Sequence, residues 1–520
     1  MESWHLYNPA LGLGAIAKIR LSINENVEGA LQEVGRHVLK DTVVVNEIEN
    51  LIFQSHAADD PWQFAPFKKI KHLYLDCNRE VLSAGLLDGL DDLEGIYIPG
   101  NRSLKTIQPG FFSDKKNLKR VVINNGKLQL ELGTFRGMPN LKELDLRGNQ
   151  IEDLPVGLFT DVPDVEKLTL AHNNIMSLPT KIFYGLPFLN DLDLSWNHLE
   201  SWNDEAFSYV NMLLRLNISN NDINRLIPAS FKRLNSLLAL HLDGNYLENL
   251  EKDSLVGLPR LGHLSVNNNM LKKIDTLTFD YVKALGVLLL EGNDIASLGS
   301  EAINDLVTSL RVEEDWCVGL HSLTELDLSG NKIRHIPANA FDSARALSKL
   351  NLRDNLIESI DPRAFDNVFK LKSLDLSRNR LPRPPSNSYG DLCSVAVLNL
   401  SNNRITSMGR NSLVAFRGVR DLDISGNPVE SMEPDTFFFN RKLANLRVSF
   451  SCSRAATSWL DAVGLTNEYL PERLRNSTRI KAESDDGSTH IEIRASLPTE
   501  EWNKCDSIIK FKQLVTNLMY

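Results

Sequence analysis

Along most of this chain, apolar residues return in one nine-residue arrangement, Leu-x-x-Leu-x-Leu-x-x-Asn, in which x is mostly polar. The segment from Leu141 to Asn149 shows it in full, as does the segment from Leu189 to Asn197. The alternation of leucine with polar residues predicts a short strand with one buried face. The motif starts every 24 residues from Leu141 to Leu285, and again from Leu323 to Leu443. A fixed period of this length predicts a solenoid of stacked repeats.

The number of motif starts predicts the size of the sheet. One strand per repeat gives a parallel sheet of about sixteen short strands. We therefore expect an α/β-type solenoid, curved like a horseshoe, with the sheet on its concave side and irregular or short helical segments on its convex side. The sixteen starts are Ile70, Leu93, Leu118, Leu141, Val165, Leu189, Leu213, Leu237, Leu261, Leu285, Leu323, Leu347, Leu371, Val395, Val419 and Leu443.

The asparagine at position nine is expected to turn the chain out of the strand. Its amide can bond the backbone of the neighbouring turn, so successive asparagines form a ladder. Gly126 and Ser451 stand at this position in two repeats. The other fourteen repeats have the asparagine, at Asn78, Asn101, Asn149, Asn173, Asn197, Asn221, Asn245, Asn269, Asn293, Asn331, Asn355, Asn379, Asn403 and Asn427.

A phenylalanine usually stands six residues before the next repeat begins. Stacked, these rings would fill the convex side of the core. The residues that follow this rule are Phe112, Phe135, Phe159, Phe183, Phe207, Phe231, Phe279, Phe341, Phe365 and Phe437.

These motifs resemble the leucine-rich repeat family in its 24-residue form, whose tail is seen in Leu178-Pro-Thr-Lys-Ile-Phe-Tyr-Gly-Leu186. The form is similar to Toll-type receptor ectodomains, chaoptin-like adhesion proteins and insect leucine-rich immune proteins. The resemblance covers roughly Ile70 to Ser451 and implies recognition of other molecules, with function carried by the variable surface.

Composition favours a structured binding protein and excludes some partners. Hydrophobic residues make up 42% of the chain, and the net charge of −10 argues against nucleic acid or an anionic membrane as the partner. No stretch is long and apolar enough for a membrane span. We find no catalytic, cofactor-binding or metal-binding motif, so we expect no enzyme and no cofactor. A homo- or hetero-oligomer remains open.

The pattern divides the chain into three parts. Residues 1–47 would be an N-terminal cap of uncertain form. Residues 48–451 would be the solenoid, beginning with a degenerate zeroth repeat over 48–69 with Phe64 in the spine position. The start of the chain lacks a recognisable signal peptide. Either the protein is intracellular, or its first segment is missing from this sequence; the repeat form favours the second.

Residues 452–520 leave the repeat pattern, and we expect a C-terminal cap. The segment after Ser451 faintly resembles a leucine-rich repeat cap with cysteines before a Trp-Leu pair. The resemblance makes Cys452 and Cys505 a candidate disulfide, and the alternative is two free thiols in a reducing compartment. Cys393 follows Leu392 at the end of a repeat, and we expect it to be buried.

One repeat is longer than the others. The step from Leu285 to Leu323 is 38 residues, so an insertion lies near 307–321. Insertions in solenoids form loops that often bind partners, and Trp316 beside three acids is a candidate contact residue. The alternatives are a tolerated surface loop, or intronic sequence retained in the gene prediction.

Strand positions three, five and seven should face the concave surface. They carry twelve acids against seven lysines and arginines. Polar residues are common at exposed strand positions, so this acidity can be structural. The functional alternative is a surface for a basic or polyhydroxylated partner, and Asp375, Asp421 and Asp423 are the candidate binding residues.

Four Asn-x-Ser/Thr sequons are candidate N-glycosylation sites if the chain is secreted: Asn101, Asn217, Asn399 and Asn476. Two of them, Asn217 and Asn399, fall within predicted strands.

Three hypotheses for function follow. The first is a secreted recognition protein of immune or adhesion type that binds a protein or glycan. The second is an intracellular scaffold or regulatory subunit, and the third is a truncated receptor ectodomain.

Overall fold

The structure is a computed structural model that describes residues 18–23, 49–55, 64, 68–274, 278–298, 319–385, 392–433 and 436–447. The chain divides into two compact units. The first comprises the described residues within 1–246 and 256–260, and the second comprises those within 247–255 and 261–520. In each unit the chain forms stacked coils, and each coil adds one strand to a parallel sheet.

In the first unit, ten parallel strands follow one another in chain order. Each pairs with the next in a register of one repeat, so that Leu144 lies opposite Leu168, and Leu168 opposite Leu192. The predicted solenoid is therefore confirmed. The strands are Lys18–Ile23, Asn50–Ser55, His72–Cys77, Gly95–Pro99, Arg120–Asn124, Glu143–Asp145, Lys167–Thr169, Asp191–Asp193, Arg215–Asn217 and Ala239–His241.

In the second unit, eight strands pair in the same way. The described strand Val287–Leu289 pairs directly with Glu325–Asp327, so the insertion leaves the sheet register intact. The strands are His263–Ser265, Val287–Leu289, Glu325–Asp327, Lys349–Asn351, Ser373–Asp375, Val397–Asn399, Asp421–Asp423 and Asn445–Arg447.

Two described strands go beyond the sixteen that the motif predicts. Asn50–Ser55 belongs to the degenerate zeroth repeat, and Lys18–Ile23 lies in the segment expected to be an N-terminal cap. They pair with each other, and Asn50–Ser55 also pairs with His72–Cys77. Phe64 packs edge-on against Phe53, with ring centroids 5.4 Å apart. The parallel sheet thus begins earlier than the leucine pattern indicates.

The core lies between the sheet and the turns on the opposite side of each coil. Strand leucines fill the sheet side, and the phenylalanines at the predicted spine positions are all buried. Consecutive rings stack, with centroids 6.1 Å apart for Phe135 and Phe159 and 5.7 Å apart for Phe341 and Phe365. The predicted aromatic spine is confirmed.

Away from the main sheets, the coils contain turns and a few short regular elements. The described 3₁₀ helices are Asp204–Phe207, Leu392–Ser394 and Val414–Phe416. Short two-residue strands pair in parallel as Val81–Leu82 with Thr106–Ile107, Asn249–Leu250 with Lys273–Ile274, His335–Ile336 with Ser359–Ile360, and Ser407–Met408 with Ser431–Met432.

Candidate functional site

The outer face of each sheet is built from positions three and five of the nine-residue motif. In a three-residue strand these are the first and the third residue. In a three-residue strand the central leucine points inward, so the residues on either side of it point outward. Asp421–Asp423 shows this arrangement, with Leu422 buried and both aspartates half-buried. Because neighbouring strands pair one repeat apart, residues at one position form a row across the sheet.

In the second unit, the row at position five alternates acid and amide from Asp327 to Asp423. The Nδ2 of Asn351 donates to Oδ2 of Asp327 over 2.9 Å. The Nδ2 of Asn399 donates to Oδ2 of Asp375 over 3.1 Å. The row ends where the Arg447 guanidinium lies 3.8 Å from Asp423. Hydrogen bonds between side chains thus link neighbouring strands and hold the polar groups of this face in place.

The same aspartates also fix the turns that leave their strands. Oδ1 of Asp375 accepts a hydrogen bond from the backbone N–H of Ser377 over 2.8 Å. Oδ1 of Asp423 accepts from both the N–H and the hydroxyl of Ser425, at 2.9 and 2.6 Å. An aspartate that bonds the backbone two residues on favours a turn. These carboxylates therefore have structural partners as well as an exposed side.

The structure places the three predicted binding residues on one face. Asp375 and Asp423 lie in register on either side of Asn399, about 10 Å apart at the usual strand spacing. Asp421 stands on the same strand as Asp423 and accepts a hydrogen bond from Asn445. The grouping agrees with the prediction, but part of each carboxylate is already engaged by a neighbouring strand.

An open depression of about 370 Å³ lies on the second unit beside this row. Its lining includes Glu291, Asp327, Asn351, Arg353 and Asp354. Three carboxylates against one guanidinium give it a negative character. Its size suits a side chain or a small polar group of a ligand rather than a whole domain.

In the first unit, two tyrosines lie on the face of the neighbouring strands His72–Cys77 and Gly95–Pro99. The rings of Tyr74 and Tyr97 stack with centroids 4.4 Å apart, and the Arg120 guanidinium lies 5.7 Å from the Tyr97 ring. Arg120 in turn pairs with Glu143 over 3.1 Å. Burial is the main cause of a raised pKa for Tyr97, which keeps this phenol neutral.

In the described residues, the asparagine ladder runs from Asn149 to Asn427. The Nδ2 of Asn221 donates to the carbonyls of Leu194 and Ile218, both over 3.1 Å, and its Oδ1 accepts from Leu199 N–H over 3.0 Å. Asn331 makes equivalent bonds across the insertion. The prediction was wrong for Asn78, which is exposed, because the six-residue strand His72–Cys77 continues through position eight and places Cys77 in the buried position.

In the described repeats from Leu93 onward, the backbone at position eight, between the strand and position nine, adopts a left-handed conformation. Asn, Asp and Gly accept this conformation most readily. Trp196 occupies it with φ of 57°, its side chain 54% exposed and stacked on His172 at 5.3 Å. Trp196 was not among the predicted site residues. Its signal was present in the sequence, since a tryptophan stands where most other repeats have glycine or asparagine.

Several predicted site residues lie outside the described part of the chain. These are Trp316, Cys452, Cys505 and Asn476. Cys77 and Cys393 are free thiols. Cys393 was predicted to be buried and is exposed, because it lies in a 3₁₀ helix that buries only Leu392.

The three described sequons differ in accessibility. Asn101 is 1% exposed and donates through Nδ2 to the Arg79 carbonyl over 3.0 Å. Asn399 uses its Nδ2 in the bond to Asp375. Asn217 is half-buried on the sheet face. A glycan attaches through Nδ2, so these positions argue against glycans at Asn101 and Asn399.

The repeat geometry agrees with a comparison of the sequence against known families. The family described as Leucine rich repeat matches more than half of the chain, and the protein belongs to this family. The matched segments are 91–151, 139–199, 192–247, 239–295, 310–355 and 321–381. No curated protein matches the chain.

Two solved structures with the same fold come from different organisms. A leucine-rich repeat protein of Leptospira interrogans is 23% identical, with a TM-score of 0.60, over 79% of this chain and 98% of its own. Toll, from its Drosophila complex with Spatzle, is 19% identical, with a TM-score of 0.64, over 84% of this chain and 64% of that one. At these identities the likeness shows the fold alone.

Two properties of the described residues bear on function. They include no helix long and apolar enough to cross a membrane. Within the same part of the chain, no three histidine, cysteine or acidic side chains are grouped so that they could hold a metal ion. Leucine-rich repeat solenoids are typically binding scaffolds, and the sheet face offers polar and aromatic groups suited to that role.

Proposed function

We propose that this protein is a noncovalent recognition protein, without enzymatic activity, that binds a protein or glycan partner on the sheet face. We propose further that it acts outside the cell, in immunity or adhesion. The fold is compatible with protein binding, and the resemblance of the 24-residue repeat form to Toll-type receptor ectodomains supports the extracellular setting.

The observation that carries the proposal is the linked polar row of the second unit. Asp327–Asn351 and Asp375–Asn399 are joined by hydrogen bonds, so their polar groups are already ordered before a partner arrives. A surface ordered in advance loses less side-chain entropy on binding than a mobile one. The net negative charge of the protein favours a basic partner.

The candidate residues for this binding are Asp375, Asp421 and Asp423. Their summed field should attract a basic patch and speed association more than it strengthens the final complex. Changing all three to lysine should lower the association rate constant of a partner, with the largest loss at low salt. Partners can be captured on the purified protein from extracellular fluid, and their rates measured by surface plasmon resonance.

A matched control is available in the same unit. Glu248, Glu358 and Glu430 are exposed acids in the turns after the strands, away from positions three and five. Changing these three to lysine alters the net charge equally and should affect the association rate much less. If the association rate constant changes neither with the sheet-face substitutions nor with ionic strength, then Asp375, Asp421 and Asp423 are ordinary solvated surface residues.

A further inference from the structure

Trp196 belongs to a surface that the sequence motif does not explain. Positions seven to ten of four consecutive repeats of the first unit form one edge, after the strands end. We name this surface, residues 171–174, 195–198, 219–222 and 243–246, the Trp196 edge. It contains the acids Asp222 and Asp243, and no lysine or arginine.

The backbone at Trp196 is unfavourable for its residue type. Left-handed φ places Cβ close to the carbonyl oxygen, and a bulky side chain gains no local hydrogen bond in return. At the same position, Asn220 and Asn125 have φ of 55° and 63°. An asparagine at position 196 would therefore strain the backbone less than the tryptophan does. Strained conformations of this kind are often found at functional sites.

The indole of Trp196 is held in place by a stacking contact. One ring face stacks on His172 of the preceding repeat, with an interplanar angle of 9°. The following repeat has Asn220 at the same position and Asp222 two residues later. More than half of the side chain is exposed, and Tyr246 further along the edge is 48% exposed. Exposed, ordered aromatic residues are typical anchors at protein interfaces.

The charge of the edge indicates which partner fits. The Asp222 carboxylate lies 3.1 Å from His198 Nδ1 and retains 39% exposure. The electron-rich face of an indole attracts cations, and guanidinium groups stack on it most often. Carboxylates beside the ring can accept the N–H groups of the same guanidinium.

We propose that the Trp196 edge binds an arginine side chain in an extended basic segment of a partner protein, with the guanidinium over the exposed part of the Trp196 indole and its N–H groups directed to Asp222. This rests on the proposed function only in assuming that the protein binds a partner. The residues belong to the first unit, whereas Asp375, Asp421 and Asp423 belong to the second.

The test uses the full chain and defined probes at 0.15 M salt. An N-acetylated hexa-arginine amide is titrated calorimetrically, with hexa-citrulline amide as its uncharged isostere and chitohexaose as a neutral glycan. We expect the arginine peptide to bind more tightly than the citrulline peptide. Trp196→Asn should weaken hexa-arginine binding about fivefold, and Trp196→Phe should lie between the two because a ring is retained.

Two controls separate the proposed contact from general effects. Phe369→Asn removes an aromatic side chain of similar exposure, 60%, from the second unit and should leave hexa-arginine binding unchanged. Trp196→Asn should also raise the midpoint of thermal unfolding, because asparagine accepts the left-handed backbone. A rise in the midpoint together with a loss of binding cannot come from misfolding.

Two outcomes would overturn the proposal. The first is equal hexa-arginine affinity for the wild type and Trp196→Asn. The second is chitohexaose binding that depends on Trp196 while hexa-arginine binding does not, which would assign the edge to a glycan. Either outcome leaves the association-rate test at Asp375, Asp421 and Asp423 unaffected, so the two proposals fail separately.

Discussion

At the scale of single residues, two kinds of polar side chain hold each coil. The ladder asparagine is buried and bonds backbone groups of its own repeat and of the one before it, as Asn221 does with Ile218 and Leu194. The aspartate at position five is half-buried and bonds the turn that follows, as Asp193 does with Ser195. A buried group cannot bond water when its protein partner is lost. Removing the buried asparagine should therefore lower the free energy of unfolding more than removing the half-buried aspartate.

We therefore predict that Asn221→Ala destabilises the protein more than Asp193→Ala. The first leaves the buried Leu199 N–H unpaired and removes one of the two side-chain hydrogen bonds to each of the Leu194 and Ile218 carbonyls, at a cost of about 1–3 kcal/mol in the free energy of unfolding. The second removes the bonds from Ser195 to a half-buried carboxylate that water already reaches, so its cost should be smaller. Urea denaturation of both variants measures the difference, and equal midpoints would contradict the assignment.

The two described cysteines should differ in reactivity. Burial raises the pKa of the Cys77 thiol to about 11. The thiolate is the reactive form, and at pH 8 only about one Cys77 in a thousand would carry it. Cys393 is exposed. We expect iodoacetamide at pH 8 to modify Cys393 in minutes and Cys77 only after denaturation, as measured by peptide mass spectrometry. Equal labelling in the native protein would contradict the burial of Cys77.

At the scale of elements, each strand is too short to be stable alone, and it is stabilised by packing between neighbouring coils. Strands of three residues, such as Lys167–Thr169, pair on both sides with strands of neighbouring coils. On the opposite side, Phe159 and Phe183 stack with centroids 6.5 Å apart. A coil that loses its spine ring therefore weakens its contacts with two neighbours.

Phe183→Ala should accordingly be strongly destabilising. The ring is fully buried between Phe159 and Phe207, so its removal leaves a cavity and costs about 3–5 kcal/mol. Phe188→Ala is a matched control in the same repeat, since that ring is 48% exposed. Thermal and urea unfolding of the two variants provide the comparison. Similar losses of stability would show that the spine does not carry the packing assigned to it.

At the scale of the whole molecule, the cellular compartment decides whether sequons can carry glycans and whether cysteines can form disulfides. If the protein is secreted, we expect a disulfide between Cys452 and Cys505 and a glycan at Asn217 or Asn476. We expect none at Asn101 or Asn399, because the Nδ2 atoms of both donate hydrogen bonds within the fold. Non-reducing peptide mapping and glycosidase treatment of protein from its native source test these points.

Two results would contradict this expectation in different ways. A glycan on Asn101 would require the ladder to open at that repeat, contrary to its burial. Free thiols at Cys452 and Cys505 without any glycan would instead favour the intracellular scaffold. The first result concerns the fold, and the second concerns the location.

The amino-acid sequence by itself determined the solenoid. A strict period forces each repeat into the same conformation, and burial of Leu144 or Leu168 follows from alternation alone. The ladder and the aromatic spine could be predicted for the same reason. The exception at Asn78 could not, because it depends on the length of the first strands and therefore on pairing with residues before the repeats begin.

Only the tertiary structure decided which surface side chains are exposed and which of them contact neighbouring repeats. The sequence grouped Asp375, Asp421 and Asp423, but the bonds of Asp375 to Asn399 and of Asp421 to Asn445 depend on which side chains the strand register places side by side. The exposure of Trp196 and its stacking on His172, 24 residues earlier, also come from the stacking of coils. A period fixes what lies inside each repeat, whereas contacts between outward side chains depend on the residues of neighbouring repeats.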